Sequence, residues 1–306
     1  MGVWYQMPRK RADDSDAMRT RAISSVGVVV VSIVPALLGS PVYSIVIALI
    51  ALGALYELYR AFQRIGVNPS TWTGTLALIA LFVIAGTDAP FLALMGAMTS
   101  YTLISLAQHL VKKDLTGSLR DWVFSLSGVM YVGFTMMHFV LIRRMQGPSD
   151  TGWIEQADAL IGDGGASLGL AWLLVVLTTT WLTDVFAYLV GRKWGTTKLL
   201  PHVSPGKTRA GAVAGLVGGT LTAALAGYVF GVPVPVTAML VVGAVIAVGA
   251  MVGDLCESMI KREIGIKDMG AVVPGHGGLL DRIDALLVTV PLTYYLAMFL
   301  NWQGWP

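Results

Sequence analysis

The feature that most limits how this chain can fold is a succession of apolar runs, each near the length of a bilayer crossing. A helix needs ~20 apolar residues to span the hydrocarbon core. Nine stretches are predicted to do so: 22–39, 42–62, 72–87, 90–111, 122–142, 166–191, 211–230, 234–260 and 283–301. Several short connections between them contain Pro or Gly, such as Gly39-Ser40-Pro41 and Gly231 to Pro235, as hairpins between adjacent helices would. A water-soluble core does not account for this pattern. Of the 306 residues 55% are hydrophobic and 13% charged, against ~25% charged in soluble domains, and the mean hydropathy is +0.71. The first run is longer than the ~7–15 apolar residues of a signal peptide, and no small-x-small cleavage site follows it. The expected fold is an all-α, polytopic integral membrane protein of about nine transmembrane helices.

Orientation follows from Lys and Arg, which are in excess in short cytoplasmic loops. A cytosolic amino terminus places 1–21, 63–71, 112–121, 192–210 and 261–282 inside, and these hold most of the basic residues. The opposite loops at 40–41, 88–89 and 231–233 hold none. Loop 143–165 breaks the pattern with Arg143-Arg144, then turns acidic at Asp150, Glu155, Asp158 and Asp163. With nine spans the carboxyl terminus lies outside. Three parts are expected: a basic cytosolic segment, 1–21; an N-terminal set of helices one to five, 22–165, nearly featureless apart from Glu57; and a C-terminal catalytic part, 166–306, comprising helices six to nine with loops 192–210 and 261–282. The lone cysteine, Cys256, excludes an intrachain disulfide and argues against a Cys-built metal site.

Ionisable residues inside membrane spans are costly and mark function by default. Asp184, Tyr188 and Arg192 follow one another at four-residue intervals and share a helix face. A purely structural Asp–Arg lock between helices would use the same pattern. Loop 192–210 then carries Arg192, Lys193, Lys198, Lys207 and Arg209 without one acidic residue. Within it Ser204-Pro205-Gly206-Lys207-Thr208 reads as a short Gly/Pro turn offering N–H groups, hydroxyls and an ammonium to phosphate oxygens. Topology and anionic lipid alone would also make such a loop basic. Gly211, Gly215 and Gly219, by contrast, read as a small-xxx-small stripe for close helix packing.

The most informative stretch begins at the end of span eight. Asp254, Glu257, Ser258 and Lys261 lie on one helix face, followed by Arg262 and by Lys267-Asp268. Next come Pro274-Gly275-His276-Gly277-Gly278 and then Asp281, Arg282 and Asp284 at the start of span nine. Carboxylates from two helix ends thus converge on a cytosolic loop flanked by cations. Hard oxygen donors without Cys suggest Mg2+, and carboxylates with nearby cations suit phosphoryl or nucleotidyl transfer. A network of interfacial ion pairs is the structural alternative.

At these residues the sequence resembles the phosphatidate cytidylyltransferase (CDP-diacylglycerol synthase) family. The signature is carried by Ser258, Lys261-Arg262, Lys267-Asp268, Gly270, Pro274, His276-Gly277-Gly278, Asp281-Arg282 and Asp284. Upstream, Asp184, Ala187-Tyr188, Gly191-Arg192, Ser204-Pro205 and Lys207-Thr208 also match, as does Glu57 near the end of span two. Val273 stands where Leu or Ile is usual, and Ala210 where many members carry Glu.

The resemblance implies a Mg2+-dependent transfer of cytidylyl from CTP to phosphatidic acid at the cytosolic face of a bacterial cytoplasmic membrane. It also implies a homodimer among membrane lipids, with no nucleic-acid partner. Asp254 and Asp281 would be the principal metal ligands, with Glu257 in support and a second ion left open. Asp284, Asp184 and Lys261 are further catalytic candidates. Ser204, Lys207, Thr208, Ser258, Arg262, Lys267, His276, Gly277, Gly278 and Arg282 would bind substrate. His276 is open to two roles, orienting the Gly-rich turn or moving a proton. The preference for CTP rests on the resemblance, because no base-reading motif is present. A CTP-dependent polyprenol- or phytol-type lipid kinase would use similar residues. A secondary transporter would also hold intramembrane carboxylates, but near the bilayer midplane.

Overall fold

The structure, a computed structural model, describes residues 27–89, 91–161, 165–270 and 277–302. The basic segment 1–21 and the site candidate His276, with Pro274 and Gly275, lie outside them. The helices, in chain order, are α1 Gly27–Leu37, α2 Ser40–Gln63, α3 Thr71–Ala85, α4 Phe91–Val111 and α5 Ser118–Arg143. Then follow α6 Gly152–Ile161, α7 Ser167–Trp194, α8 Arg209–Val229, α9 Val236–Ile264 and α10 Leu280–Asn301. Each expected span coincides with an apolar helix. Among the described residues seven are long and apolar enough to cross a membrane, while α1 and α3 are shorter. The chain is an all-α polytopic integral membrane protein.

Two elements depart from the sequence reading. Loop 143–165 contains α6, which is too short to span; it buries Ile154 and Asp158, one turn apart, and leaves Trp153 exposed. Its acidic residues mask the apolar pattern that reveals a spanning helix. The stretch Ser204–Thr208, read as a turn, is strand β2, paired antiparallel with β1, Lys198–Leu200. The turn falls earlier, where Val203 N–H donates to the Leu200 carbonyl over 3.1 Å. A two-stranded ribbon has free edges, so Pro205, which cannot donate to a ladder, is tolerated there.

The bundle is tightest where α7 meets α8. A Cβ on Gly211 would lie 2.6 Å from the Ala187 carbonyl oxygen, and one on Gly219 would lie 3.0 Å from Ala247 Cβ of α9. Lipid tails are as apolar as Leu, so close van der Waals contact of this kind holds membrane helices together. The first half of α7 is the centre of the core, with Leu170, Ala171, Trp172, Leu173, Val175 and Val176 fully buried. Only 11% of the apolar window of α4 is buried, so this helix is the one most available to lipid.

The two arginines that break the charge bias lie together at one end of the bundle, each beside an acid. Arg143, fully buried, donates to the Ala36 carbonyl over 2.9 Å and the Ala166 carbonyl over 3.3 Å. Its guanidinium also sits 3.8 Å from Asp158. Arg144 pairs with Asp88 at 2.7 Å and donates to the Gly86 carbonyl.

Candidate active site

The other end of the bundle gathers the charged residues. It is built from the last turns of α2, α7 and α9, the first turns of α8 and α10, and the β-hairpin. Gly253 of α9 sets one wall. A Cβ there would meet the Asp284 carbonyl oxygen at 2.6 Å and Ala285 Cα at 2.9 Å. The bare glycine therefore lets α10 lie directly against α9. At that point α10 is interrupted by a turn at residues 284–285, where Asp284 Oδ1 accepts the Ala285 N–H over 2.8 Å.

About two helical turns further along α9, Lys261 joins two acids. Its Nζ lies 2.5 Å from Glu257 Oε2 and 2.8 Å from Asp281 Oδ1. The other oxygen of Asp281 accepts the N–H groups of Met269 over 2.9 Å and Gly278 over 2.7 Å. Gly277 beside it has φ +88°, a conformation that side chains disfavour. Three donors therefore fix the Asp281 carboxylate. Lys207, on β2, reaches across to Asp254, with Nζ 2.6 Å from Oδ2. Ser258 Oγ lies 3.4 Å from the second Asp254 oxygen. Thr208 caps α8, accepting the Gly211 N–H over 3.2 Å, and so anchors the strand that carries Lys207.

These elements enclose a cavity of about 1060 Å³. Asp184, Asp254, Asp281 and Asp284 line it together with Arg192, Lys207 and Arg282, and Thr208 lies on the same wall. Trp181, Val185 and Met251, with Val28 and Val29 of α1, line the same space. Charged and apolar walls thus share one chamber. Tyr188 also lines it and accepts from Arg192 over 3.2 Å, so the four-residue spacing on α7 does define one face. Asp184 accepts no hydrogen bond from the described residues.

Other expected residues stand behind or beside the chamber. Glu257 is fully buried and faces Lys261. Gly277 and Gly278 shape the turn that holds Asp281. Arg262 donates to the Val203 carbonyl over 3.3 Å, fastening the hairpin to α9. Ser204 pairs with Leu200 in the ribbon, and Lys267 is exposed. Glu57 was visible in the sequence as a lone acid in an apolar helix, but nothing there showed where it would sit. It is buried in α2 and accepts the Leu280 N–H over 3.1 Å.

The donor set has the chemistry for a hard divalent ion, with four Asp carboxylates and no cysteine lining the chamber among the described residues. Among the described residues no three acids, His or Cys converge closely enough to hold one ion. An ion there would have to take waters or substrate phosphates besides one or two of these carboxylates.

A charged chamber inside one end of an apolar helical bundle can take the ionic and the apolar parts of one amphipathic molecule. A sequence model of the Cytidylyltransferase family matches residues 19–300, and the chain belongs to that family. It is similar to a phosphatidate cytidylyltransferase of Synechocystis sp., 29% identical over 289 residues that cover 92% of this chain and 96% of the relative. To the Bacillus subtilis phosphatidate cytidylyltransferase it is 31% identical over 255 residues, 73% of this chain and 95% of the relative. A relative of the same name from Staphylococcus haemolyticus is 28% identical over 277 residues, 90% of this chain and 97% of its own.

Proposed function

We propose that this protein transfers the cytidylyl group of CTP to phosphatidic acid, giving CDP-diacylglycerol and pyrophosphate. The observation that carries this reading is the shared chamber: Lys207, Arg192 and Arg282 face the same space as Trp181, Val185 and Met251. A phosphate headgroup and the root of an acyl chain can be held there at once. The names of the relatives point to the same substrates. By the Lys/Arg bias the chamber faces the cytosol of a bacterial cytoplasmic membrane. The homodimer is part of the same reading and rests on the family resemblance.

In the reaction an oxygen of the lipid phosphate bonds to the α-phosphorus of CTP. The bond from that phosphorus to the bridging oxygen of the β-phosphate breaks, and pyrophosphate leaves with those electrons. A phosphate monoester has a second pKa of ~6, so the nucleophile is already largely ionised near neutral pH and needs no strong base. The obstacle is the approach of two polyanions. Lys207 and Arg282 would oppose that charge, and a low-dielectric chamber strengthens each such contact. Lys261 and the Met269 and Gly278 N–H groups hold Asp281 in a fixed orientation. Asp254 and Asp281 would hold Mg2+, which when bound supplies further charge neutralisation at the phosphate oxygens.

The test uses purified protein with CTP and phosphatidic acid, following pyrophosphate release and product mass across a nucleotide panel. Asp254→Ala and Asp281→Ala should each lower turnover by about 100-fold or more, the scale of losing one electrostatic partner of a transition state. Near-normal turnover in both variants ends the metal-ligand assignment. A product carrying only one added phosphate ends the cytidylyl-transfer reading.

A further inference from the structure

We infer that Glu57, far from the charged C-terminal stretch in sequence, is a positioning residue for Asp281 and acts through the backbone at residues 278–280. This rests on the reaction proposed above. Three observations meet at one point on α2. Glu57 Oε2 accepts the Leu280 N–H over 3.1 Å, across 223 residues of sequence. The same carboxyl group lies flush against two glycines of the loop that precedes α10. A Cβ on Gly270 would sit 2.3 Å from Oε1, and one on Gly278 would sit 2.4 Å from Oε2. One turn before Glu57, on the same face of α2, Gly53 leaves room for Leu279, whose Cδ1 would be 2.5 Å from an added Cβ. The tip of α2 is thus a mould: Gly53 receives the Leu279 side chain, and Glu57 takes the next N–H and presses on Gly270 and Gly278.

The residue that follows this grip is Asp281. Its carboxylate takes the Gly278 and Met269 N–H groups and Lys261, so both of its backbone donors lie within a residue of the glycines that Glu57 touches. Moving that loop moves Asp281. Packing alone does not explain an acid here. Oε1 is buried and meets no hydrogen-bond partner among the described residues, and an unpartnered buried oxygen is a cost that an apolar side chain would avoid. What an apolar side chain cannot do is accept the Leu280 N–H.

The experiment compares Glu57→Ala with Glu57→Gln, which keeps a carbonyl acceptor of the same reach. Two quantities are read: steady-state CDP-diacylglycerol formation with its Mg2+ dependence, and amide hydrogen exchange over residues 277–283. Glu57→Ala should lower kcat about 10- to 100-fold, the range for losing a group that orients a ligand. It should also raise the Mg2+ concentration needed for half-maximal rate and speed exchange over 277–283. Glu57→Gln should recover most of all three. Unchanged exchange in Glu57→Ala overturns the proposal, and so does Glu57→Gln with protected exchange but the turnover of the alanine variant. If Glu57→Ala does not fold, Gly270→Ala serves, because among the described residues the atoms nearest its new methyl, at 2.3, 2.6 and 3.1 Å, all belong to the Glu57 side chain. It should produce the same losses, and an unaffected Gly270→Ala counts against the proposal. Should the wild type make no CDP-lipid, the reaction assignment fails by itself, while the exchange comparison still decides the role of Glu57.

Discussion

Lys261 holds together two acids that have few other ways of staying buried. The side chain of Glu257 is 0% exposed and that of Asp281 3%, and the same ammonium group bonds both. Removing one partner of a buried ion pair leaves a charge without compensation, at a cost of about 3–5 kcal/mol. Lys261→Met should therefore lower the unfolding midpoint in detergent and abolish turnover, because it also removes one of the three donors that fix Asp281. Glu257→Gln keeps the volume and removes one charge, so it should lose less of either; equal losses would show that Glu257 does more than pair with Lys261. The sequence placed Glu257 and Lys261 on one face by spacing, and that spacing is real. The resemblance put Glu257 among the supporting metal ligands; the structure turns it toward Lys261, a neighbour that spacing alone does not single out. Thr208 makes the same point. Its hydroxyl, read for phosphate, also accepts the Gly211 N–H at the start of α8, a second role that the string does not show.

Between α7 and α8 the contact is made by backbone, and that fixes which substitutions it tolerates. Gly211 packs against the Ala187 carbonyl oxygen and Gly191 Cα, neither of which can rotate away. Gly211→Val should push α8 and the hairpin off α7 and widen the chamber, with turnover reduced at least about tenfold, since misplacement by ~1 Å alone can cost more than that. Gly96, in α4, has nothing within 4 Å of an added Cβ, and Gly96→Ala should remain close to wild type in turnover and unfolding midpoint. If the two variants behave alike, close packing at Gly211 does not position the site. At this scale hydropathy revealed the spanning helices well, because 20-residue apolar runs need no knowledge of their neighbours. It missed α6, whose amphipathic ten residues have meaning only against the bundle end. It also missed the β-ribbon, whose pairing joins residues on either side of a turn that lacks a marked hairpin signal.

The two ends of the molecule are tied differently. At the end away from the chamber, Arg143 is sealed beneath Asp158 and two carbonyl groups. Arg143→Met should destabilise the bundle by about 3–5 kcal/mol while leaving the KM for CTP unchanged in the folded fraction. A raised KM would show that the two ends communicate. Read as a string, Arg143-Arg144 contradicted the charge bias, because the string shows neither Asp158 nor Asp88 beside them. The contact between Glu57 and Leu280 crosses the division that polarity draws at residue 166, and it has a consequence for how the protein is made. Translation delivers the α2 tip early and the segment that fills it almost last. Until the ribosome has passed residue 280, membrane-inserted α2 carries an acid whose backbone donor does not yet exist, and Lys261 lacks one of its two acids. A nascent chain stalled before that point retains most of its spans but no assembled chamber, so early termination leaves no partly working remnant to compete for nucleotide.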